Sequence, residues 1–76
     1  MGRTRSLLRV LRAAQEPSTS QSEIARRVGM TRMRYWAIEN GELEPTTDER
    51  KAIASALGVT VADIAWPEVM TPRVSA

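Results

Sequence analysis

The apolar residues recur with helical spacing in successive segments of the chain, and short polar stretches containing glycine or proline separate these segments. In the first segment, Leu7, Val10, Leu11 and Ala14 follow the i, i+3, i+4, i+7 pattern of an amphipathic helix. This spacing predicts a helix that starts at Ser6 and turns those four residues toward a core. The proline-containing Ser/Thr stretch that follows predicts its end.

Two short helices joined by a glycine turn are predicted over residues 20–41. Ser20 and Glu23 have the spacing of a capping box, which predicts the start of the second helix. Gly29 is expected to end that helix in the left-handed conformation, and Thr31 is expected to cap a third helix of about two turns. The residues expected to face inward from this pair are Ile24, Ala25, Val28, Tyr35 and Ile38.

A fourth helix is predicted after an acidic loop. Thr46 and Glu49 again have capping-box spacing, and Gly58 is expected to end the helix. A brief fifth helix is expected to start at Thr60 and to turn Ile64 inward. The inward residues expected on the fourth helix are Ile53, Ala54, Ala56 and Leu57.

No segment alternates apolar and polar residues over the length of a strand. The pattern therefore predicts an all-α domain of four to five helices over residues 6–66. The basic residues 1–5 are expected to form a flexible arm, and residues 67–76 a C-terminal tail.

Composition narrows the chemistry that this domain can perform. The 76 residues include no cysteine and no histidine, which excludes disulfides, thiolate chemistry and imidazole metal ligands. No nucleophile–base pair or carboxylate cluster is evident, so we expect no enzyme, metal site, cofactor or small-molecule ligand. The apolar runs are too short to span a bilayer, so we expect no membrane association. Arg9 and Arg12 interrupt the N-terminal apolar run, so we expect no signal peptide. We therefore expect a cytoplasmic protein.

Charge is distributed unevenly along the chain. Residues 1–40 contain eight arginines and three glutamates, whereas residues 41–76 contain three basic and six acidic residues. The first part is therefore a candidate surface for an anionic polymer, although such charges often only solvate helix faces. Arginine outnumbers lysine ten to one, which fits either a GC-rich genome or bidentate contacts to phosphate and guanine.

At residues 20–41 the chain reads SQSEIARRVGMTRMRYWAIENG, which resembles the helix-turn-helix of the lambda repressor and Cro superfamily, also called the XRE family. The downstream segment PTTDERKAIASALGVTVADIAW resembles the fourth and fifth helices of that family. The resemblance covers about residues 6–66 and implies a lambda-repressor-like DNA-binding domain. Its recognition helix, at about residues 32–39, is expected to lie in the major groove.

The resemblance implies a set of DNA-contacting residues on and around the third helix. Arg32, Met33 and Ala37 take the base-reading positions, and Arg34 lies at the flank, where a phosphate contact is expected. Met33 has two open interpretations, a thymine methyl contact or an exposed apolar residue. Trp36 has three: stacking on sugar and phosphate, folding over the core edge, or anchoring a protein partner.

Other residues are implied to support the recognition helix. Gln21 matches the glutamine that holds a phosphate and braces that helix, and backbone amides near Asn40 are expected to donate to a phosphate. Arg12 matches an arginine that pairs with the glutamate corresponding to Glu39.

Four further arginines are candidates for contacts beyond the recognition helix. Arg3 and Arg5 of the arm are candidates for the minor groove, with a solvated terminus as the alternative. Arg26 and Arg27 are expected to divide between solvated surface and backbone contacts.

Two features depart from the family pattern. The loop after the third helix carries Glu42 and Glu44 where the family often has basic residues that grip the backbone, so we expect modest affinity. In the fourth helix, Thr47 and Arg50 stand at usually apolar positions. Arg50 is expected to find a nearby glutamate.

The leading hypothesis is a small, prokaryotic or phage-encoded transcriptional regulator that binds double-stranded DNA sequence-specifically. It resembles repressor, Cro-like or antitoxin-type proteins, and we expect a homodimer on a palindromic operator. Ile64, Trp66, Val69 and Met70 are candidates for the dimer contact, with Trp66 covering its own core as the alternative. The second hypothesis is an antitoxin-like or co-regulator interaction module that keeps the fold but binds a protein through Trp36, Met33 and the tail.

Overall fold

Four short α-helices make up most of the part of the chain that the structure describes, residues 5–68. In this computed structural model they are α1 (Leu8–Ala13), α2 (Gln21–Val28), α3 (Arg32–Glu39) and α4 (Thr47–Leu57), and a 3₁₀ turn follows at Val61–Asp63. The predicted all-α class and the helix pair at residues 20–41 are confirmed. The expected fifth helix is only that 3₁₀ turn. No helix in the described range is long and apolar enough to cross a membrane.

The starts of α2 and α3 are each fixed by a local side-chain hydrogen bond. The Ser20 hydroxyl accepts a hydrogen bond from the Glu23 amide (3.1 Å), and the Thr31 hydroxyl accepts one from the Arg34 amide (3.1 Å). Gly29 ends α2 with φ of 77°, a left-handed conformation that disfavours residues with a Cβ. The predicted helix starts and the glycine stop are therefore confirmed.

The core forms where the four helices and the segment after the 3₁₀ turn meet. Its fully buried larger side chains are Leu8, Ile24, Tyr35, Ile38, Ile53 and Ile64. The inward residues predicted for α2, α3 and α4 either belong to this core or, like Val28 and Ala56, pack partly buried against it.

The buried face predicted for α1 is wrong at Leu7 and Val10, whereas Leu11 packs partly buried against the core as predicted. Leu8 is 1% exposed, whereas Leu7 is 45% and Val10 51% exposed. The helix is turned by about one residue, roughly 100°, from the predicted orientation. This rotation of α1 brings the Arg12 side chain inward to the Glu39 carboxylate (2.7 Å). A charged residue therefore lies on the buried side of α1.

The two ends of the described chain are hydrogen-bonded to each other. The Ser6 amide donates to the Asp63 carbonyl (3.0 Å), and the Ala65 amide donates to the Ser6 carbonyl (2.8 Å), which makes one parallel bridge between Ser6 and Ile64. Ile64 is fully buried in its own core, so its predicted place in a dimer contact is wrong.

Trp66 lies over the core of its own domain. Its indole N–H donates to the Val61 carbonyl (3.1 Å), its ring packs against the core cluster, and the Arg50 guanidinium stands 5.2 Å from the ring centre. Val69 and Met70, the other two candidates for a dimer contact, lie outside the described residues.

The acidic loop after α3 is packed on one side and open on the other. Leu43 packs against the core, and a Cβ built on Gly41 would stand 3.2 Å from the Pro67 Cβ, so the chain after Trp66 lies against this loop. Arg50 forms an ion pair with Glu44 (3.6 Å), which confirms the expectation that Arg50 pairs with a nearby glutamate. The first turn of α4 is exposed at Thr47.

Candidate nucleic-acid interface

One face of α3 is open to solvent while the opposite face is buried. Tyr35 and Ile38 are fully buried and attach the helix to the core. On the outer face, Met33 is 72% and Trp36 41% exposed, and together with Arg32 they line a shallow apolar cleft. The helix thus presents a rigid surface that is apolar at its centre and cationic at its N-terminal end.

Arg32 is exposed at the first position of α3. Within residues 5–68 it has no hydrogen-bonding or ion-pair partner. Its guanidinium is therefore available to an external acceptor, and Ala37, partly exposed on the same face, leaves room beside it.

The Glu39 carboxylate at the end of α3 joins three helices. It accepts two hydrogen bonds from the Arg12 guanidinium (2.7 and 2.8 Å), one from the Gln21 amide (2.8 Å) and one from the Tyr35 hydroxyl (2.8 Å). Arg12 also donates to the Thr19 carbonyl (2.9 Å). The predicted Arg12–Glu39 pair is confirmed, and the hydrogen bond from Gln21 to Glu39 braces α3, as the resemblance implies.

This network keeps its charges over the ordinary pH range. Burial raises the pKa of Glu39, but hydrogen bonds from Arg12, Gln21 and Tyr35 outweigh it and leave the pKa below its usual value. Burial and the hydrogen bond to Glu39 both raise the pKa of the Tyr35 hydroxyl. Hydrogen bonding to Glu39 raises the pKa of Arg12. The orientation of α3 therefore does not depend on a group that titrates near neutrality.

Arg34, at the flank of α3, is bound by Glu49 of α4. Its guanidinium donates to both carboxylate oxygens of Glu49, one of these bonds measuring 2.9 Å. Glu49 also accepts from the Thr46 amide (2.8 Å), which completes the predicted capping box of α4. Hydrogen bonding from Arg34 is the largest cause that lowers the pKa of Glu49 to about 2. The phosphate contact predicted for Arg34 stays a prediction.

Two more candidate arginines share one carboxylate on α2. Arg26 (2.6 Å) and Arg27 (3.1 Å) both donate to Glu23, and hydrogen bonding from Arg26 is the first cause that lowers the pKa of Glu23. Glu23 therefore does not complete the capping box predicted with Ser20, of which only the hydroxyl half forms.

The remaining candidates lie at the edges of this surface. The Asn40 side chain is exposed and donates to the Trp36 carbonyl (2.9 Å). Arg5 is exposed at the start of the described residues, and Arg3 lies outside them. Gln21 is partly exposed and uses one amide donor on Glu39, so its second N–H remains for another acceptor.

Sequence reasoning missed the Arg34–Glu49 pair because the partners lie 15 residues apart in different helices. One local signal exists, since the capping-box spacing of Thr46 and Glu49 predicts a Glu49 carboxylate that points back toward the start of α4. The position of Arg34 relative to that carboxylate depends on how α3 and α4 pack, which periodicity does not give.

A comparison with protein-family models gives one finding: a model described as helix-turn-helix matches residues 8–64. No curated protein and no solved structure matches the chain.

Proposed function

Because this chain belongs to the XRE family of lambda repressor and Cro-like helix-turn-helix domains, we propose that it binds specific DNA sequences by placing α3 in the major groove. The family is one of DNA-binding regulatory domains. The proposed regulator acts by occupancy of an operator, in the manner of a repressor or Cro-like protein.

The observation that carries this proposal is Arg32, which stands at the N-terminal end of an exposed helix face and has no side-chain partner within residues 5–68. A free guanidinium at this position can donate two hydrogen bonds to O6 and N7 of a guanine, a contact that contributes about 1–3 kcal/mol of discrimination. Met33 supplies an apolar surface for a thymine methyl, and Ala37 lets the helix approach the base edges. The exposed Trp36 ring is assigned to stacking on the sugar-phosphate backbone beside them.

Backbone contacts are proposed for the residues that support α3. The second amide N–H of Gln21 is assigned to a phosphate, so that one side chain both braces the recognition helix and fixes its distance from the DNA. Backbone amides near Asn40 are assigned to the phosphate on the other side of the groove. Such contacts set the register of the helix without reading sequence.

We further propose that two copies bind a palindromic operator with half-sites about one helical turn apart, as related helix-turn-helix dimers do. The support is the family membership.

Selection of bound sequences from a random DNA pool tests the proposal. The wild-type protein should enrich a defined half-site, repeated as an inverted pair with fixed spacing. Arg32→Ala should lose the preference at one or two positions of that half-site, because the guanine contact is gone. The control is Arg9→Ala, which removes an exposed arginine of α1 and should weaken binding without changing the selected sequence. No enrichment by the wild-type protein would contradict the proposal.

The apolar cleft favours a second candidate function. Exposed Met33 and Trp36 are suitable anchors for a protein partner, so an interaction module with the same fold is the alternative. In that case a partner would be lost on Trp36→Ala, and the wild-type protein would show no salt-sensitive binding to duplex DNA.

A further inference from the structure

Arg34 stands at the edge of the proposed DNA-binding face. It lies one helical turn before Ala37 on α3, and residues three apart on a helix are neighbours on its surface. Its side chain is 39% exposed, beside the start of α4 and the acidic loop. Among the described residues of α3, Arg32 and Arg34 are the two cations, and only Arg32 is unpaired.

Glu49 is held in place to bind Arg34. Its hydrogen bond from the Thr46 amide and its backbone position in the first turn of α4 fix the carboxylate independently of Arg34. The guanidinium then meets two oxygens at hydrogen-bonding distance, a two-point geometry that arginine also forms with phosphate. The pKa of Glu49, lowered to about 2, keeps this carboxylate charged wherever the protein is folded near neutral pH.

We propose that Glu49 takes the place of a DNA phosphate on Arg34 and thereby withholds this arginine from the DNA backbone. This inference rests on the proposed function. A phosphate contact adds affinity for every sequence alike, whereas base contacts by Arg32 add affinity only for the operator. By neutralising Arg34, Glu49 lowers non-specific binding and raises the share of affinity that depends on sequence. Glu49 is thus a specificity-determining residue that acts through Arg34 and does not touch DNA.

The test measures how tightly the Glu49→Gln variant binds random duplex DNA over a range of salt concentrations. Glutamine can still accept from the Thr46 amide and preserve the cap, but it removes the charge that neutralises Arg34. Binding should tighten, and the slope of log affinity against log salt should steepen by about 0.9, the value for one added phosphate contact. The ratio of the variant's affinity to that of the wild type should therefore fall by about 3.5-fold between 50 and 200 mM salt. The preference for the selected operator over random DNA should fall.

The matched control is Asp48→Asn, which makes the same charge change one residue away. Asp48 is exposed in the same helical turn and has no arginine partner in the described chain. This variant should keep the wild-type slope. Equal behaviour of Glu49→Gln and Asp48→Asn would overturn the inference, because the effect would then be one of net charge.

The double variant Arg34→Ala/Glu49→Gln separates the two roles of Arg34 and remains informative if Glu49→Gln alone does not fold. It removes one positive and one negative charge together, so under this inference its slope equals that of the wild type. A slope shallower by about 0.9 would show that Arg34 already contacts a phosphate in the wild-type complex, and the inference would be overturned. Absence of salt-dependent DNA binding by the wild-type protein would overturn the proposed function itself.

Discussion

The Glu39 carboxylate is the group that hydrogen-bonds α3 to both α1 and α2. It accepts hydrogen bonds from Arg12 of α1, Gln21 of α2 and Tyr35 of α3, and its side chain is only 8% exposed. If one charge of a buried ion pair is removed, the other charge stays buried without a partner. This change costs more stability than the absence of the whole pair would.

Glu39→Gln should therefore lower the free energy of unfolding by about 2–3 kcal/mol, since Arg12 keeps its charge in a largely buried position. Urea unfolding at pH 7 measures this loss. The control is Glu44→Gln, which removes an exposed partner of Arg50 and should change stability by no more than about 0.5 kcal/mol. Equal losses in the two variants would mean that the Glu39 network does not hold the three helices together.

The Arg34–Glu49 pair predicts how stability changes in acid. The folded protein lowers the pKa of Glu49 from 4.5 to about 2, so the unfolded chain takes up a proton first as the pH falls. The contribution of this carboxylate is therefore complete above about pH 5 and is lost as the pH falls toward 2. The urea midpoint of the wild type should exceed that of Glu49→Gln most at pH 7, and the difference should shrink between pH 5 and pH 2.5. A constant difference over that range would contradict the assignment.

At the scale of elements, the orientation of α1 shows how a charged residue can override an apolar pattern. Two stripes on this helix satisfy helical spacing, one through Leu7 and Val10 and the other through Leu8, and Leu11 belongs to both. The structure buries Leu8, and the same orientation brings Arg12 to Glu39. Apolar periodicity cannot choose between the stripes, since it counts Arg12 as polar.

Two neighbouring alanine substitutions test this orientation with the same chemical change. Leu8→Ala should cost about 2–4 kcal/mol of unfolding free energy, because it opens a cavity in the core. Leu7→Ala should cost less than about 1 kcal/mol, because the side chain is half exposed. Urea unfolding at several protein concentrations measures both. A large, concentration-dependent loss for Leu7→Ala would instead show that a second copy covers this face.

The features that could be predicted from sequence are those that neighbouring residues determine. The caps at Thr31 and Thr46 and the left-handed stop at Gly29 require only residues within a few positions of each other, and all three are confirmed. The unpredicted features join distant residues: the bridge between Ser6 and Ile64 and the Arg34–Glu49 pair. Family resemblance recovered the Arg12–Glu39 pair, which no local pattern contains.

At the scale of the whole molecule, the segments that flank the helices are joined to each other beside a small core. The bridge at Ser6 joins the segment before α1 to the segment after the 3₁₀ turn, and Trp66 continues from there over the core. Few residues lie between the core and the surface in a domain of this size. Positioning of α3 therefore depends on the same contacts that hold the fold, and a stability loss in the core should also weaken DNA binding.

The charges of residues 5–39 together with Glu49 predict a shallow salt dependence of DNA binding. From Arg5 to the end of α3 the chain has seven arginines, but Glu16, Glu23 and Glu39 offset three of them and Glu49 a fourth. The net of three positive charges predicts a slope of log affinity against log salt near −3 for each bound domain. If all seven arginines contacted phosphates, this slope would be about −6. Titration of fluorescently labelled random duplex from about 50 to 300 mM salt measures the slope. A value steeper than about −5 would show that the internal ion pairs open on DNA and that their arginines turn to the phosphates.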